Sequence, residues 1–344
     1  MRQSGSKAIP VERTKTRSSP AWQSPFSVSL SHAWPVIIIY LVFLVLILLL
    51  GATSPFFSSS AAFNNLLGSA LPLVFAAIAQ TIVVLVKGID LSVGPAMSTV
   101  MVVAASLSRD TVPSTAGVYI LCLAIGLAIG AANGFFVVVT RLQSIIVTLA
   151  TSSVLGGVAL YIMPEPGGHI PSAVGAAVTG NIGVIPVPLI ILVGSLLIFW
   201  LPFRRSWIGQ SWYAVGGNET GAFYSGINVK LAKFSAFLLG GFFAALGGLT
   251  LASQTLTGDP MIGAPYTLNS IAAVVLGGTS LAGGRGGAVG TVGGALVLTV
   301  LVDVLFFFNV SAYYQYVFNG AIVILALVAV ALSDFFRSRR VRIG

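Results

Sequence analysis

From Pro35 to Ser333 the sequence alternates long apolar runs with short polar breaks, and this pattern restricts the fold more than any other feature of the chain. The runs cover residues 35–53, 65–87, 91–108, 116–140, 144–162, 186–203, 231–254, 267–282, 287–308 and 314–333. A helix needs about 20 mostly apolar residues to cross a bilayer. The chain therefore reads as an all-α polytopic membrane protein with about ten transmembrane segments. The third and eighth runs are short or interrupted, as in broken or re-entrant helices. Composition agrees, with 56% hydrophobic and only 7% charged residues, where soluble domains carry about 25% charge.

The formal net charge of +9 does not point to nucleic acid, because of where the cations lie. Arg2, Lys7, Arg13, Lys15 and Arg17 occupy the N-terminal arm, and Arg337, Arg339, Arg340 and Arg342 crowd the end of the chain. Basic clusters flanking spans set topology and touch lipid headgroups. This gives a disordered basic cytoplasmic arm over 1–34, a transmembrane domain over 35–335 and a basic cytoplasmic tail over 336–344. With both termini cytoplasmic, Lys87, Arg141, Arg204, Arg205, Lys230, Lys233 and Arg285 all fall inside. Arg109, Asp110, Glu165 and Asp259 fall outside, so the charge asymmetry supports the count. Met163 to Ile185 is then an external loop, most simply a solvated connection. The single cysteine, Cys122, sits in an apolar run and can form no intrachain disulfide.

Gly126, Gly130 and Gly134 in the fourth run, and Gly286, Gly290 and Gly294 in the ninth, share a spacing of four. Such spacing lines one helical face and admits another backbone. Because those runs lie five spans apart they would point in opposite directions, a candidate 5+5 inverted repeat.

Arg204 to Lys233 is the longest charged interruption between apolar runs. Within it, Asn218 is suited to capping a short helix, Glu219 to the positive end of its dipole, and Phe223 and Tyr224 to apolar contact. Gly216, Gly217 and Gly226 allow sharp entry and exit. A second break holds Asp90, with Ser92 beside it, between apolar runs. A charge at a helix centre costs roughly 2.5 to 3.5 kcal/mol, so Asp90 belongs to a capped turn or a wet cavity. Asp303 lies within a span, where an acid is either functional or reaches interfacial water. No Gly-x-x-x-x-Gly-Lys-Ser/Thr loop is present to cradle ATP phosphates, and the two histidines form no His-Glu-x-x-His zinc motif.

Four blocks in order carry a family resemblance: Gly88-Ile89-Asp90-Leu91-Ser92-Val93-Gly94; Ile146-Val147-Thr148-Leu149-Ala150-Thr151; Gly216-Gly217-Asn218-Glu219 with Ser225-Gly226-Ile227-Asn228-Val229; and Tyr266 to Leu281 followed by Gly283-Gly284-Arg285-Gly286. The chain resembles the permease subunits of bacterial ABC importers for ribose and related simple sugars. That resemblance implies a multi-pass inner-membrane protein pairing with a second permease copy or homologue. It also implies cytoplasmic ATPase subunits that hold the ATP and Mg, and a periplasmic solute-binding protein. The segment from Gly217 to Ile227 would be a coupling helix seated on the ATPase. Lys87 departs from the family pattern, which has Gly there, and Phe223 from a more basic run.

For the translocation path the candidates are the uncharged hydrogen-bonding residues Gln80, Asn133, Gln254, Asn269 and Gln315, with the acids Asp90 and Asp303. Alternative cargoes for such an importer are an autoinducer, a polyol or a nucleoside. A different class, an ion-coupled secondary transporter, would use Asp90 and Asp303 for coupling.

Overall fold

A computed structural model gives the fold; it describes residues 30–53 and 59–307, with isolated positions between 314 and 328. Met1–Trp34 forms a unit of its own, and the account below concerns Pro35 onward. Most of the basic arm, the tenth apolar run with Gln315, and the basic tail lie outside the described residues, apart from those isolated positions.

Among the described residues seven helices are long and apolar enough to cross a membrane. They are α1 (Leu30–Thr53), α2 (Ser60–Leu85), α4 (Val112–Thr140), α5 (Ser144–Ile162), a continuous helix over Val187–Arg205, α11 (Val229–Thr255) and α13 (Ala288–Phe307). The third and eighth runs form shorter helices, α3 (Val93–Leu107) and α12 (Ala264–Leu276). The expected count of about ten thus becomes seven long and two short helices among the described residues.

The core is α2, whose most apolar stretch is 94% buried. It is encased by α11, α12, α13 and the start of the helix over 187–205. Ser59 caps its start by accepting the Ala62 N–H at 3.1 Å. Pro72 lies inside α2, and a proline there leaves the carbonyl four residues back without its helical donor. That carbonyl belongs to Gly68, and the Gln254 side chain of α11 supplies the missing bond at 2.8 Å.

Glycines set the closest packing. Along α4, a Cβ at Gly126, Gly130 or Gly134 would strike the backbone of α11 at Gly241, Phe237 and Phe234. Along α13, Gly290 and Gly294 lie against Gly277 and Ala273 at the end of α12, and Gly286 precedes the helix against Thr279. The two glycine triplets face different partners, α11 in one case and the end of α12 in the other.

The helix over 187–205 consists of α7 (Val187–Ser195), a π-helical turn (Leu196–Trp200) and α8 (Leu201–Arg205). Residues 163–185, expected as an external solvated connection, are more ordered than that expectation. The segment holds α6 (Ser172–Thr179) and a hairpin of β1 (Asn181–Ile182) and β2 (Ile185–Pro186). Gly167 and Gly258 exchange main-chain bonds at 2.9 and 2.7 Å, and Ile170 donates to Leu256 O at 3.1 Å. This pins the segment to the end of α11.

Candidate functional site

Two regions gather the residues singled out by sequence. The first is the interruption between α8 and α11, which is folded rather than a loop. It forms α9 (Trp207–Gly217) and α10 (Glu219–Tyr224). Ser206 caps α9 through Gly209 N at 3.2 Å, and Asn218 caps α10 through Gly221 N at 2.9 Å. At the other end of α10, Gly226 takes φ +82°. Its N–H reaches Phe223 O and the Ile227 N–H reaches Ala222 O, each at 3.0 Å. This is a Schellman stop, in which glycine bears the left-handed conformation without steric cost. Ser225 Oγ also bonds Gly221 O at 2.9 Å. Glu219 meets Lys233 at 2.8 Å, bracing α10 against the start of α11.

Phe223 and Tyr224 project outward, 64% and 83% exposed, with their rings edge to face 5.7 Å apart. An exposed aromatic pair on a short, doubly capped helix is suited to burial against a partner. The expectation for Gly216 and Gly217 needs correction, because both lie inside the last turn of α9 rather than at a sharp entry. Gly216 is small for a different reason. A Cβ there would collide with Leu85 O and Gly284 N. Those two groups are themselves bonded at 3.1 Å, so α9 rests directly on the end of α2. Tyr213 secures the contact, its hydroxyl donating to Gly286 O at 2.9 Å. Burial pushes the Tyr213 pKa above its ordinary value, partly opposed by the Arg204 charge.

The second region, residues 86–92, is an elbow that follows α2 and is called the inner elbow because it lies beside α9. Lys87 occupies the left-handed region at φ +63°. Lys87 N reaches Val84 O and Gly88 N reaches Val83 O, each at 2.9 Å. This too is a Schellman stop, with Lys87 at the left-handed position that glycine would fill without steric cost. Asp90 is 3% exposed, and its Oδ1 accepts from Ser92 N at 2.8 Å and Ser92 Oγ at 2.6 Å. Asn133 Nδ2 donates to Ser92 Oγ at 2.8 Å, and Asn133 Oδ1 accepts from Thr151 at 2.6 Å. Gln80, with its amide oriented to suit, donates to Asp90 O at 2.9 Å and accepts Asp90 N at 3.2 Å. Gln80 and Asn133 are fully buried. Asp90 therefore folds a turn, and it does not cap α3 directly.

A second elbow, called the outer one because it lies against residues 167–170, follows α11. Leu256 has φ +57°, and Asp259 Oδ1 accepts Met261 N at 2.8 Å. The short helices that follow the two elbows cross at their first turns. Gly94 N donates to Thr267 Oγ1 of α12 at 3.2 Å, and Gly263 N donates to Ser98 Oγ of α3 at 2.9 Å. A Cβ at Gly94 would strike Gly263 O, and one at Gly263 would strike Gly94 O.

Of the path candidates, the structure brings Gln80, Asp90 and Asn133 into one network closed to solvent. Gln254 satisfies the carbonyl freed by Pro72. Asn269 is half-buried on α12. Asp303 is half-buried on α13, between Val300 and Val304, which pack with Leu50 and Leu66 near the start of α2. Asp90 follows the other end of α2, so the acids lie about 30 Å apart at 1.5 Å per residue. They do not converge on one ion site. Gln315 lies outside the described residues. Among the described residues no cluster of His, Cys, Asp and Glu could hold a metal.

Sequence reasoning missed Ser144 and Thr148. Ser144 Oγ accepts Ile89 N at 3.0 Å. Thr148 Oγ1 accepts Leu91 N at 3.0 Å and reaches Ile89 O at 3.2 Å. The legible signal was hydroxyl residues at 144, 148 and 151, one face of the fifth span.

Comparison with known proteins fits these blocks. The chain is 36% identical over 291 residues to the ribose import permease protein of Escherichia coli, covering 83% of this chain and 90% of that one. It is 33% identical over 295 residues to the ribose import permease protein of Haemophilus influenzae, covering 84% and 91%. It is 30% identical over 317 residues to the D-allose transport system permease protein of Escherichia coli, covering 91% and 96%. No solved structure matches. Residues 62–327 match the family model described as branched-chain amino acid transport system / permease component, and the chain belongs to that permease family.

Proposed function

We propose that this chain is the membrane subunit of an ATP-driven importer that carries a monosaccharide, or a similar polyhydroxylated solute, into a bacterial cytoplasm. The observation that carries this is the identity with ribose and allose permeases across more than four fifths of the chain. The family's description names branched-chain amino acids, which makes an amino-acid cargo the second reading. Uptake into proteoliposomes bearing the chain with its ATPase and binding protein separates the two. Ribose or allose accumulation that leucine does not inhibit is expected; leucine uptake with no sugar uptake overturns the sugar assignment.

In this scheme α10 is the coupling helix, with Asn218, Glu219, Phe223, Tyr224, Ser225, Gly226 and Ile227 presenting it to the ATPase. ATP and Mg bind to the ATPase partners, a solute-binding protein docks on the opposite face, and a second permease completes the pathway. Both termini are cytoplasmic, with 1–34 and 336–344 as basic tails around the transmembrane domain 35–335. The basic residues Lys87, Arg205, Lys230 and Arg285 near the α9–α10 end support that orientation. Asn269, Asp303 and Gln315 remain the candidates for contact with the solute, while Gln80, Asp90 and Asn133 act by holding the inner elbow.

A 5+5 inverted repeat also belongs to this proposal. Its support is the pair of elbows: a left-handed residue, an aspartate turn three residues on, and a glycine seven residues on, at 87, 90 and 94 and again at 256, 259 and 263. For the coupling helix, Gly226→Pro tests the assignment, since proline holds φ near −65°. Loss of ATPase co-purification with membrane insertion retained is expected; undiminished co-purification overturns it.

A further inference from the structure

The inner elbow lies between the docking helix and α5. Gly216 of α9 touches Leu85 O and Gly284 N with no side chain between them. A displacement of α9 therefore reaches the end of α2 through backbone contact, with no flexible side chain to absorb it. The elbow begins immediately beyond Leu85, and its main chain is held on both sides. Gln80 of α2 grips the peptide groups of Asp90. Ser144 and Thr148 of α5 grip Ile89 N, Leu91 N and Ile89 O at 3.0 to 3.2 Å. Ser92, folded onto Asp90, is tied through Asn133 to Thr151, again on α5.

On its remaining surface α5 is sparsely packed. Ile145, Ile146, Leu149, Val154, Val158 and Tyr161 are all exposed. Its inward residues recur as Ser144, Thr148, Thr151, Leu155 and Ala159, a single stripe. The hydroxyl half of that stripe meets the elbow, and the apolar half meets α3. Apolar contacts slide over one another, whereas hydrogen bonds to main chain are directional and lose strength when displaced. The elbow end of α5 is accordingly the end that must follow the elbow.

We propose that residues 86–92 transmit movement of the ATPase-docking helix to α5, with Ser144, Thr148 and Asn133 as positioning residues that make the linkage. This rests on α10 being the docking helix. Without the linkage, ATP turnover continues but α5 no longer follows it, so hydrolysis and solute uptake part company.

The test uses the intact complex of permease, ATPase and binding protein in proteoliposomes, with uptake of labelled ribose and phosphate release measured together. Thr148→Val keeps the shape and removes the hydroxyl. It is expected to lower uptake about tenfold while hydrolysis stays within about twofold, the loss of one or two buried hydrogen bonds. Thr148→Ser restores the hydroxyl and the uptake. Thr99→Val is the control, because Thr99 joins α3 to α5 at Leu155 O, 3.2 Å, away from the elbow. It is expected to keep the wild-type ratio. The proposal is overturned if Thr148→Val lowers uptake and hydrolysis in proportion, leaves both unchanged, or is not rescued by serine. It is equally overturned if Thr99→Val uncouples as strongly. Should Thr148→Val fail to assemble, Ser144→Ala is judged by the same ratio. A wild-type complex that neither binds the ATPase nor takes up sugar defeats the functional assignment instead.

Discussion

At Lys87 and at Leu256 a long helix ends on a non-glycine residue in the left-handed region, and in each case an aspartate turn then leads into a short helix. The two elbows share this backbone but not their surroundings. The inner one is fastened by side chains from α2, α4 and α5, and it abuts α9. The outer one is fastened mainly by main-chain bonds to residues 167–170, with one side-chain bond from Thr257 Oγ1 to Gly167 O at 2.7 Å, and Asp259 is partly exposed. Side-chain fastening joins separate helices and so permits motion to pass among them. Main-chain bridging anchors the outer elbow to the surface segment beside it. Where the elbows' short helices meet, the environment is the same for both, since each first-turn amide is capped by a hydroxyl of the other helix.

The crossing should give the largest effects. Gly94→Val and Gly263→Val each force a side chain into the opposing main chain and are expected to cost about 3 kcal/mol or more. Both should fail to give monodisperse protein in detergent; a well-behaved Gly263→Val alone would break the equivalence. Next come the aspartates. Asp90→Ala strands the buried Ser92 amide and is expected to cost about 2 kcal/mol, while Asp259→Ala should cost at most about 0.5 kcal/mol. Thermal unfolding of the two variants compares them, and equal losses would erase the distinction between side-chain and main-chain fastening.

The support of the outer elbow is sharpened by a double-mutant cycle. Gln254→Leu is expected to cost about 1 kcal/mol by leaving Gly68 O unpaired. In a Pro72→Ala background the loss should shrink, because the alanine N–H takes over that carbonyl. The smallest effect is at the left-handed residues. Lys87→Gly relieves a strained φ and is expected to stabilise by up to about 1 kcal/mol. Leu256→Gly should gain nothing, because the Leu256 side chain packs against Gly175 of α6; a gain at both positions would show that this packing contributes little.

Much of this architecture could be read in advance. The short third and eighth runs correctly marked α3 and α12 as the odd helices, because a span's length and composition are local properties. Asn218, Gly226 and the exposed aromatics of α10 were legible for the same reason, since caps and stops depend on neighbours within a few residues. The path candidates were not separable. Gln80, Gln254 and Asn133 are all amides in apolar spans, and nothing nearby in sequence tells which meets main chain and which meets solute. The glycine triplets were likewise not separable, since spacing shows that a face is flat without naming what lies on it.

By itself, the sequence determined that the chain has several helices long and apolar enough to cross a membrane, roughly where most of them lie, and which interruption carries a short capped helix with an exposed aromatic pair. It also held the four blocks that place it among permeases. The tertiary structure alone decided that Asp90 is buried and folds its turn onto Ser92. It also paired Ser98 with Gly263, and Gln254 with the carbonyl freed by Pro72. The physical reason is that a buried polar group must find a partner somewhere in the fold, and for these residues that partner lies on a helix remote in sequence.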